Sequence, residues 1–133
     1  MLARIRKSAE EKDQGFTLIE LLVVIIIIGI LAAIVIPVFL NQRKKGWDSA
    51  AKADLKNMAT AEETYLTGNS FYTSDVGALE AAGFKKSTGN VTAWTAAALG
   101  TGGADGYCLS ATSKSTAVFY YASSNGVPTT TGC

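Results

Sequence analysis

Apolar and polar positions divide the chain sharply near residue 16. Residues 1–15 are mostly polar and charged, whereas residues 16–40 form a nearly unbroken apolar run. As a helix, those residues would extend about 38 Å, which exceeds the roughly 30 Å of a bilayer's hydrocarbon core. The pattern therefore predicts a membrane-spanning helix, and a plain single-pass anchor is the alternative interpretation.

Gly15 stands immediately before the apolar run, where a small residue can mark a cleavage site. In an ordinary secretory signal the apolar stretch precedes the cut and is lost with it. Here the leader, residues 1–15, has no apolar stretch of its own. Cleavage between Gly15 and Phe16 would keep the apolar helix and give it a new terminal ammonium at Phe16.

A second helical pattern follows the apolar run. Apolar residues recur at three-, four- or seven-residue steps, and charged residues are expected on the other faces. The apolar set is Trp47, Ala51, Leu55, Met58 and Tyr65, and the charged set is Lys52, Asp54, Lys56, Glu62 and Glu63. One helix is therefore predicted from Phe16 to about Thr67. Its apolar stripe is expected to pack on a sheet, and a helix lying on a membrane surface is the alternative.

The C-terminal half has the pattern of short strands separated by turns. Strands are predicted around residues 91–95, 107–111 and 117–122, with turns at residues 113–115 and 125–126. A short helix is predicted within residues 71–83, capped by Thr73 or Ser74 and ended by Gly83. These elements predict an α+β fold, in which the distal half of the long helix packs on a small antiparallel sheet.

The composition lacks residues that most catalytic and metal-binding sites require. The chain has no histidine, two cysteines and a formal net charge of +1. Histidine is the commonest general base and metal ligand, and residues 100–103 lack the lysine of a phosphate-binding loop. No catalytic residue, metal site or cofactor is predicted. The near-neutral charge gives no sign of nucleic-acid binding. Because no catalytic residue is predicted, we expect a protein that is not an enzyme.

Three side chains carry candidate functions. Glu20 is a carboxylate inside the apolar run, where insertion costs roughly 2.5–3.5 kcal/mol. It lies four residues after Phe16 and could pair with an ammonium there, within a chain or between neighbours; capping of the helix N-terminus is the alternative role. Cys108 and Cys133 would close a loop worth roughly 3.5 kcal/mol if bonded, and two free thiols are the alternative.

The segment GFTLIELLVVIIIIGILAAIVIPVF, from Gly15 to Phe39, resembles the type IV pilins and their relatives, the pseudopilins of type II secretion. The likeness includes the residues that interrupt the apolar run as well as the apolar ones, and it covers roughly the first half of the chain. One departure is Gln14, where many family members have Lys or Arg. The second half has no motif of comparable strength.

The resemblance implies how the N-terminal segment is used. The leader would be cut between Gly15 and Phe16, Phe16 would be N-methylated, and the helix would polymerise into a filament. Glu20 would govern assembly by pairing with the Phe16 ammonium. The stretch between Gly29 and Pro37 would partly unwind when a subunit enters the filament, since both residues weaken a helix.

The resemblance also implies a disulfide-bounded C-terminal loop, Cys108 to Cys133, on the filament surface. Implied partners are a leader peptidase with methyltransferase activity, a membrane platform with an assembly ATPase, and further copies of the chain. The precursor would lie in the inner membrane with its N-terminus in the cytoplasm, and the assembled subunit would be extracellular. The expected layout is a leader at 1–15, a membrane and filament-core segment at 16–40, an amphipathic helix at 41–67 and a globular head at 68–133.

The predicted function is that of a structural subunit of an extracellular type IV pilus-like filament. A pseudopilin of a secretion or DNA-uptake machine is the first alternative. The cysteine pair favours a pilin, because pseudopilin heads are often tied by calcium, and the C-terminal half offers only Asp105 as a clear acidic candidate. A membrane-anchored binding module that never polymerises is the second alternative.

Overall fold

The computed structural model describes Gly15 and residues 17–133. A single long helix, α1 (Leu18–Asn69), is followed by a short helix, α2 (Val76–Ala81), and by three strands. The strands are β1 (Val91–Leu99), β2 (Gly106–Ser113) and β3 (Val118–Ala122), with a 3-10 turn at Thr101–Gly103 between the first two. The predicted α+β fold with a long N-terminal helix and a small antiparallel sheet is confirmed.

Helix α1 has 52 residues and begins and ends two residues later than the predicted limits of Phe16 and Thr67. Thr17 stands at its N-terminal boundary, and Ser70, with a positive φ of 62°, follows its end. The helix is continuous through Gly29 and Pro37. A proline removes one backbone hydrogen bond but leaves the flanking ladder intact, and helices of membrane-spanning composition commonly accommodate it.

Contacts along the chain define two units, and the boundary between them falls after Asn41. The second unit, Gln42–Cys133, contains the distal part of α1, all three strands and the buried core. It is called the head below. The first unit contains the apolar part of α1, from Leu18 to Leu40.

The three strands form one antiparallel sheet in the order β1-β2-β3. Side chains alternate along β2, so that Tyr107, Leu109, Ala111 and Ser113 are buried and the residues between them are only half-buried. The buried face joins Ala51, Leu55 and Met58 of α1 in one core. This packing confirms the prediction that the stripe of α1 meets a sheet, and burial of a side chain such as Leu55 stabilises the head by about 1.5–3 kcal/mol.

Two charged residues of α1 were placed wrongly from the sequence. Asp54 and Glu62 were expected on the solvent-facing sides of the helix, but both are buried, with 1% and 0% of their surfaces exposed. Their spacing from Met58 is four residues in each direction, which puts all three on one face of a helix. Each carboxylate is held by a hydrogen bond from a distant part of the head.

Helix α2 is capped by a residue that the sequence analysis did not name. The side chain of Asp75 accepts a hydrogen bond from the amide of Gly77 at 2.8 Å. The expected caps have other partners: the hydroxyl of Thr73 accepts from the Asp75 amide, and that of Ser74 accepts from the Ala98 amide of β1. Gly83 follows α2 with φ of 114°, a conformation that glycine adopts without strain.

Candidate processing and assembly site

Helix α1 starts at a reciprocal pair of hydrogen bonds between Thr17 and Glu20. The Glu20 amide donates to the Thr17 hydroxyl at 3.1 Å, and the Thr17 amide donates to Oε2 of Glu20 at 3.4 Å. This is a capping box, in which two side chains satisfy amides that have no partner within the helix. The carboxylate also lies at the positive end of the helix dipole, which favours its charge.

The capping box fixes where the helix begins relative to the predicted cleavage site. Gly15 is exposed and lies outside the helix, two residues before Thr17. Phe16 lies outside the described residues, so the predicted cleavage and N-methylation at Phe16 stay predictions. Thr17 was not predicted as a cap, although Thr-x-x-Glu before an apolar run is typical of a capped helix start.

The apolar part of α1 is exposed along its whole length in the single chain. Its large hydrophobic side chains, from Leu18 to Leu40, retain between 44% and 87% of their surface. By length and composition this is a helix that can cross a membrane, and none of its most apolar stretch is buried. Gly29 faces open space, because a methyl group added there would meet nothing within 4 Å. The surface of this segment must therefore be covered by lipid or by other protein.

The cysteine pair is bonded in the head. Cys108 lies on β2 and joins Cys133 with a Cα–Cα distance of 6.0 Å. Within β2, Cys108 belongs to the set of half-buried residues that alternate with the buried ones, so the bond lies on the sheet face directed away from α1. The chain segment between the two cysteines includes β3 and the turn at Gly126, which has φ of 73°.

Asp54 is the centre of a buried polar cluster that ties three parts of the head together. Its carboxylate accepts hydrogen bonds from the amide of Ser87 at 3.1 Å, the hydroxyl of Ser87 at 2.7 Å and the indole of Trp94 at 2.7 Å. A buried carboxylate is tolerated when its oxygens are satisfied in this way. No local sequence pattern indicates these partners, because they are 33 and 40 residues away.

Glu62 is a buried carboxylate that is less completely satisfied. Its Oε2 accepts a hydrogen bond from the Thr73 amide at 3.0 Å, while Oε1 has no hydrogen-bond partner among the described residues. Burial, followed by the charge of neighbouring Glu63, raises the pKa of Glu62 against the opposing effect of the Thr73 bond. Burial also raises the pKa of nearby Tyr107.

Across Gly15 and residues 17–133, no group of three or more Asp, Glu, Cys or His side chains comes together in a cluster that could hold a metal ion. The chemistry that the described residues do support is helix capping, disulfide bonding and apolar association.

An exposed apolar helix, a carboxylate in its first turn and a small disulfide-bonded α+β head define a class: small proteins whose N-terminal helix is long and apolar enough to cross a membrane. The family model described as "Prokaryotic N-terminal methylation motif" matches residues 12–36. The "Type IV wide pilus major component PilA4" of Thermus thermophilus is 43% identical over 96 residues, which cover 72% of this chain and 70% of that protein.

Further relatives come from a secretion system and from another pilus. The "Type II secretion system core protein G" of Pseudomonas aeruginosa is 43% identical over 79 residues, covering 59% of this chain and 55% of that protein. The "Type IV major pilin protein PilA" of Myxococcus xanthus is 44% identical over 61 residues, covering 46% and 28%. The chain belongs to the family of type IV pilins and type II secretion pseudopilins.

Proposed function

We propose that this protein is a structural subunit that polymerises into an extracellular type IV pilus-like filament. The leader, residues 1–15, is removed between Gly15 and Phe16, and Phe16 is N-methylated. The remaining chain is held in a membrane by the apolar part of α1 and then transferred into the filament, where the same helix forms the core. Membership of the pilin and pseudopilin family supports this course.

The observation that carries the proposal is the exposure of the apolar part of α1. An apolar surface of this extent is not stable in water, because burial is worth roughly 25 cal/mol per Å². A bilayer covers it in the precursor, and helices of neighbouring copies cover it after extraction. A closed dimer would cover only one side of a helix that is apolar on every side, whereas a helical polymer surrounds it.

Glu20 is proposed to direct assembly through the ammonium that processing creates at Phe16. The capping box uses one lone pair of the carboxylate, and a carboxylate has about four such sites, so the pairing and the cap are compatible. A subunit docked at the wrong height would leave a buried carboxylate and a buried ammonium unpaired, which is strongly unfavourable. This penalty would set the axial position of each subunit.

The proposed partners follow from the steps that the chain cannot perform itself. Cleavage and methylation require a leader peptidase with methyltransferase activity, and extraction from the membrane requires an ATPase acting through an assembly platform. The N-terminus of the precursor is proposed to lie on the cytoplasmic side of the inner membrane. The head would lie on the opposite side, where the Cys108–Cys133 bond is stable.

A pseudopilin of a type II secretion system is the second candidate. The relationship to core protein G, at 43% identity over 79 residues, favours it. The disulfide in the head favours a pilin. The two candidates differ in product. At its natural expression level a pilin gives surface filaments, whereas a pseudopilin is not expected to.

Electron microscopy of sheared surface material, combined with intact-mass analysis, tests the proposal. We expect filaments whose main protein begins at a methylated Phe16 and has lost two hydrogens through the disulfide. The Gly15→Leu variant should accumulate as an uncleaved membrane precursor and form no filaments. Cells that keep the processed chain in the membrane and show no surface filament would favour the secretion role, and a mature chain still beginning at Met1 would contradict the proposal.

A further inference from the structure

Trp47 is contacted by two cations that are far apart from each other in the sequence. The guanidinium carbon of Arg43, one turn earlier on α1, lies 5.3 Å from the centre of the indole ring. The ammonium of Lys114, in the turn between β2 and β3, lies 5.5 Å from the same centre. Both distances are within the range of a cation–π contact. Core packing does not account for this arrangement, because Arg43 and Lys114 are exposed and Trp47 is only half-buried.

Asp48 holds the turn that carries Lys114 against the helix. Its Oδ1 accepts hydrogen bonds from the hydroxyls of Ser113, at 2.6 Å, and Ser115, on either side of Lys114. The amide of Lys114 donates to the carbonyl of Asn90 at 2.8 Å. The position of the Lys114 backbone is therefore fixed from three directions, while its side chain remains exposed.

The cluster lies directly after the apolar part of α1 along one continuous helix. The residues from Leu21 to Leu40 would extend about 30 Å, the thickness of a hydrocarbon core. Arg43 follows about 5 Å beyond Leu40 and Trp47 about 10 Å beyond it. The headgroup layer adds roughly 5–7 Å on each side of the core, so Arg43 would lie within that layer and Trp47 just outside it.

The charges of this region suit an anionic surface. Arg43, Lys44, Lys45 and Lys114 supply four positive charges, and Asp48, which accepts hydrogen bonds from two hydroxyls, supplies one negative charge. Tryptophan is enriched at membrane interfaces because its ring is apolar and its N–H is polar. A tryptophan flanked by cations therefore has the composition of a headgroup-binding site.

We propose that Arg43, Trp47 and Lys114 form a site for anionic phospholipid headgroups, which docks the β2–β3 turn of the head on the membrane before assembly. The inference rests on the membrane-held stage of the proposed function. It adds a contact made by the head to the anchoring already provided by the helix. Extraction into a filament then requires release of this contact as well as removal of the helix from lipid.

The test uses the full chain reconstituted in vesicles of phosphatidylcholine, with increasing amounts of phosphatidylglycerol. The signal of Trp47 is obtained as the difference between the wild-type chain and the Trp47→Phe variant, and its accessibility is measured by quenching with acrylamide. We expect Trp47 to become protected as phosphatidylglycerol is added, and the protection to disappear in high salt, where the Debye length falls to about 3 Å.

Lys114→Gln and Lys86→Gln are a matched pair of variants. Lys86 also contacts an indole, that of Trp94 at 5.4 Å, and pairs with Glu80, but it lies outside the proposed site. Each basic residue near an anionic surface is worth about a fivefold change in affinity. Lys114→Gln should therefore weaken this contact by about fivefold at a fixed phosphatidylglycerol content, seen as lower protection of Trp47, and Lys86→Gln should leave the protection unchanged.

Equal protection of Trp47 in neutral and anionic vesicles would overturn the inference, as would equal effects of the two variants. Insertion is measured separately, by flotation of the vesicles after an alkaline wash. A chain that inserts but shows no preference for phosphatidylglycerol defeats only the headgroup site. A chain that does not insert defeats the membrane-held stage of the proposed function and the site together.

Discussion

The capping box allows the two roles of Glu20 to be separated by substitution. Glu20→Gln keeps a side-chain oxygen that can accept from the Thr17 amide, because glutamine also serves in capping boxes. It removes the charge that would pair with the Phe16 ammonium. Thr17→Ala has the opposite effect, since it removes the hydroxyl that accepts from the Glu20 amide at 3.1 Å and retains the carboxylate.

The expected magnitudes of the two changes differ widely. Loss of a threonine cap costs about 1 kcal/mol of local helix stability, and this loss is shared by the membrane-held and assembled states. An ammonium left unpaired in a buried site costs about 3–5 kcal/mol. At about 1.4 kcal/mol for each tenfold change, Glu20→Gln should reduce subunit addition by roughly 10²–10⁴, while Thr17→Ala should leave it within about fivefold of wild type.

Filament yield is measured from sheared surface material, with the membrane level of the subunit and its N-terminal mass as controls. We expect Glu20→Gln to abolish filaments while insertion and cleavage continue, and Thr17→Ala to retain them. Normal filament yield from Glu20→Gln would refute the pairing role and leave capping as the function of Glu20. A Thr17→Ala variant as defective as Glu20→Gln would show that helix initiation, and not charge pairing, limits assembly.

Three further predictions concern the head. Asp54→Ala leaves the donors of its hydrogen bonds without an acceptor, and it should lower the free energy of unfolding by about 3 kcal/mol, or the melting temperature by roughly 10–20 °C. Exposed Lys56→Ala is the control, and a loss no larger than that of the control would refute the bonding role. The raised pKa of Glu62 means that the folded head binds a proton more tightly than the unfolded chain, so stability falls as pH rises above about 4.5. Glu62→Gln should therefore raise the urea midpoint at pH 7 but not at pH 4, and an equal gain at both values would contradict the assignment. Reduction of the Cys108–Cys133 bond should cost about 3.5 kcal/mol by the loop-entropy estimate, for a separation of 25 residues; labelling of free thiols in the native protein would contradict the pairing.

The parts of the fold that were predicted from sequence are those determined by local pattern. The apolar run, the stripe of Leu55 and Met58 and the alternation along β2 each reflect a period that is visible within about ten residues. The predicted strand β1 was too short, because the alanines near its end have low strand propensity. In the structure these residues are held by pairing with β2, and the strand extends to Leu99.

Asp54 and Glu62 were misplaced because their polar residue type was given more weight than their position on the helix. Asp54 and Glu62 occur at the spacing of the buried face, but a carboxylate is buried only when partners exist to satisfy it. Those partners, Ser87, Trp94 and Thr73, are brought to the helix by the rest of the head. Thr17 was missed for a different reason, since its signature is local and could have been read.

The sequence separation of the contacts between the distal part of α1 and the rest of the head has a consequence for biosynthesis. Asp54 meets Trp94 across 40 residues, and Asp48 meets Ser113 across 65. Contacts between such distant positions form slowly, because a long segment of chain must be ordered before any bond is made. As the ribosome delivers the chain from its N-terminus, the apolar half of α1 is complete well before β2 exists. Membrane insertion is therefore expected to precede folding of the head, which leaves the distal stripe of α1 uncovered during the interval and makes this nascent stage the one most exposed to aggregation and proteolysis.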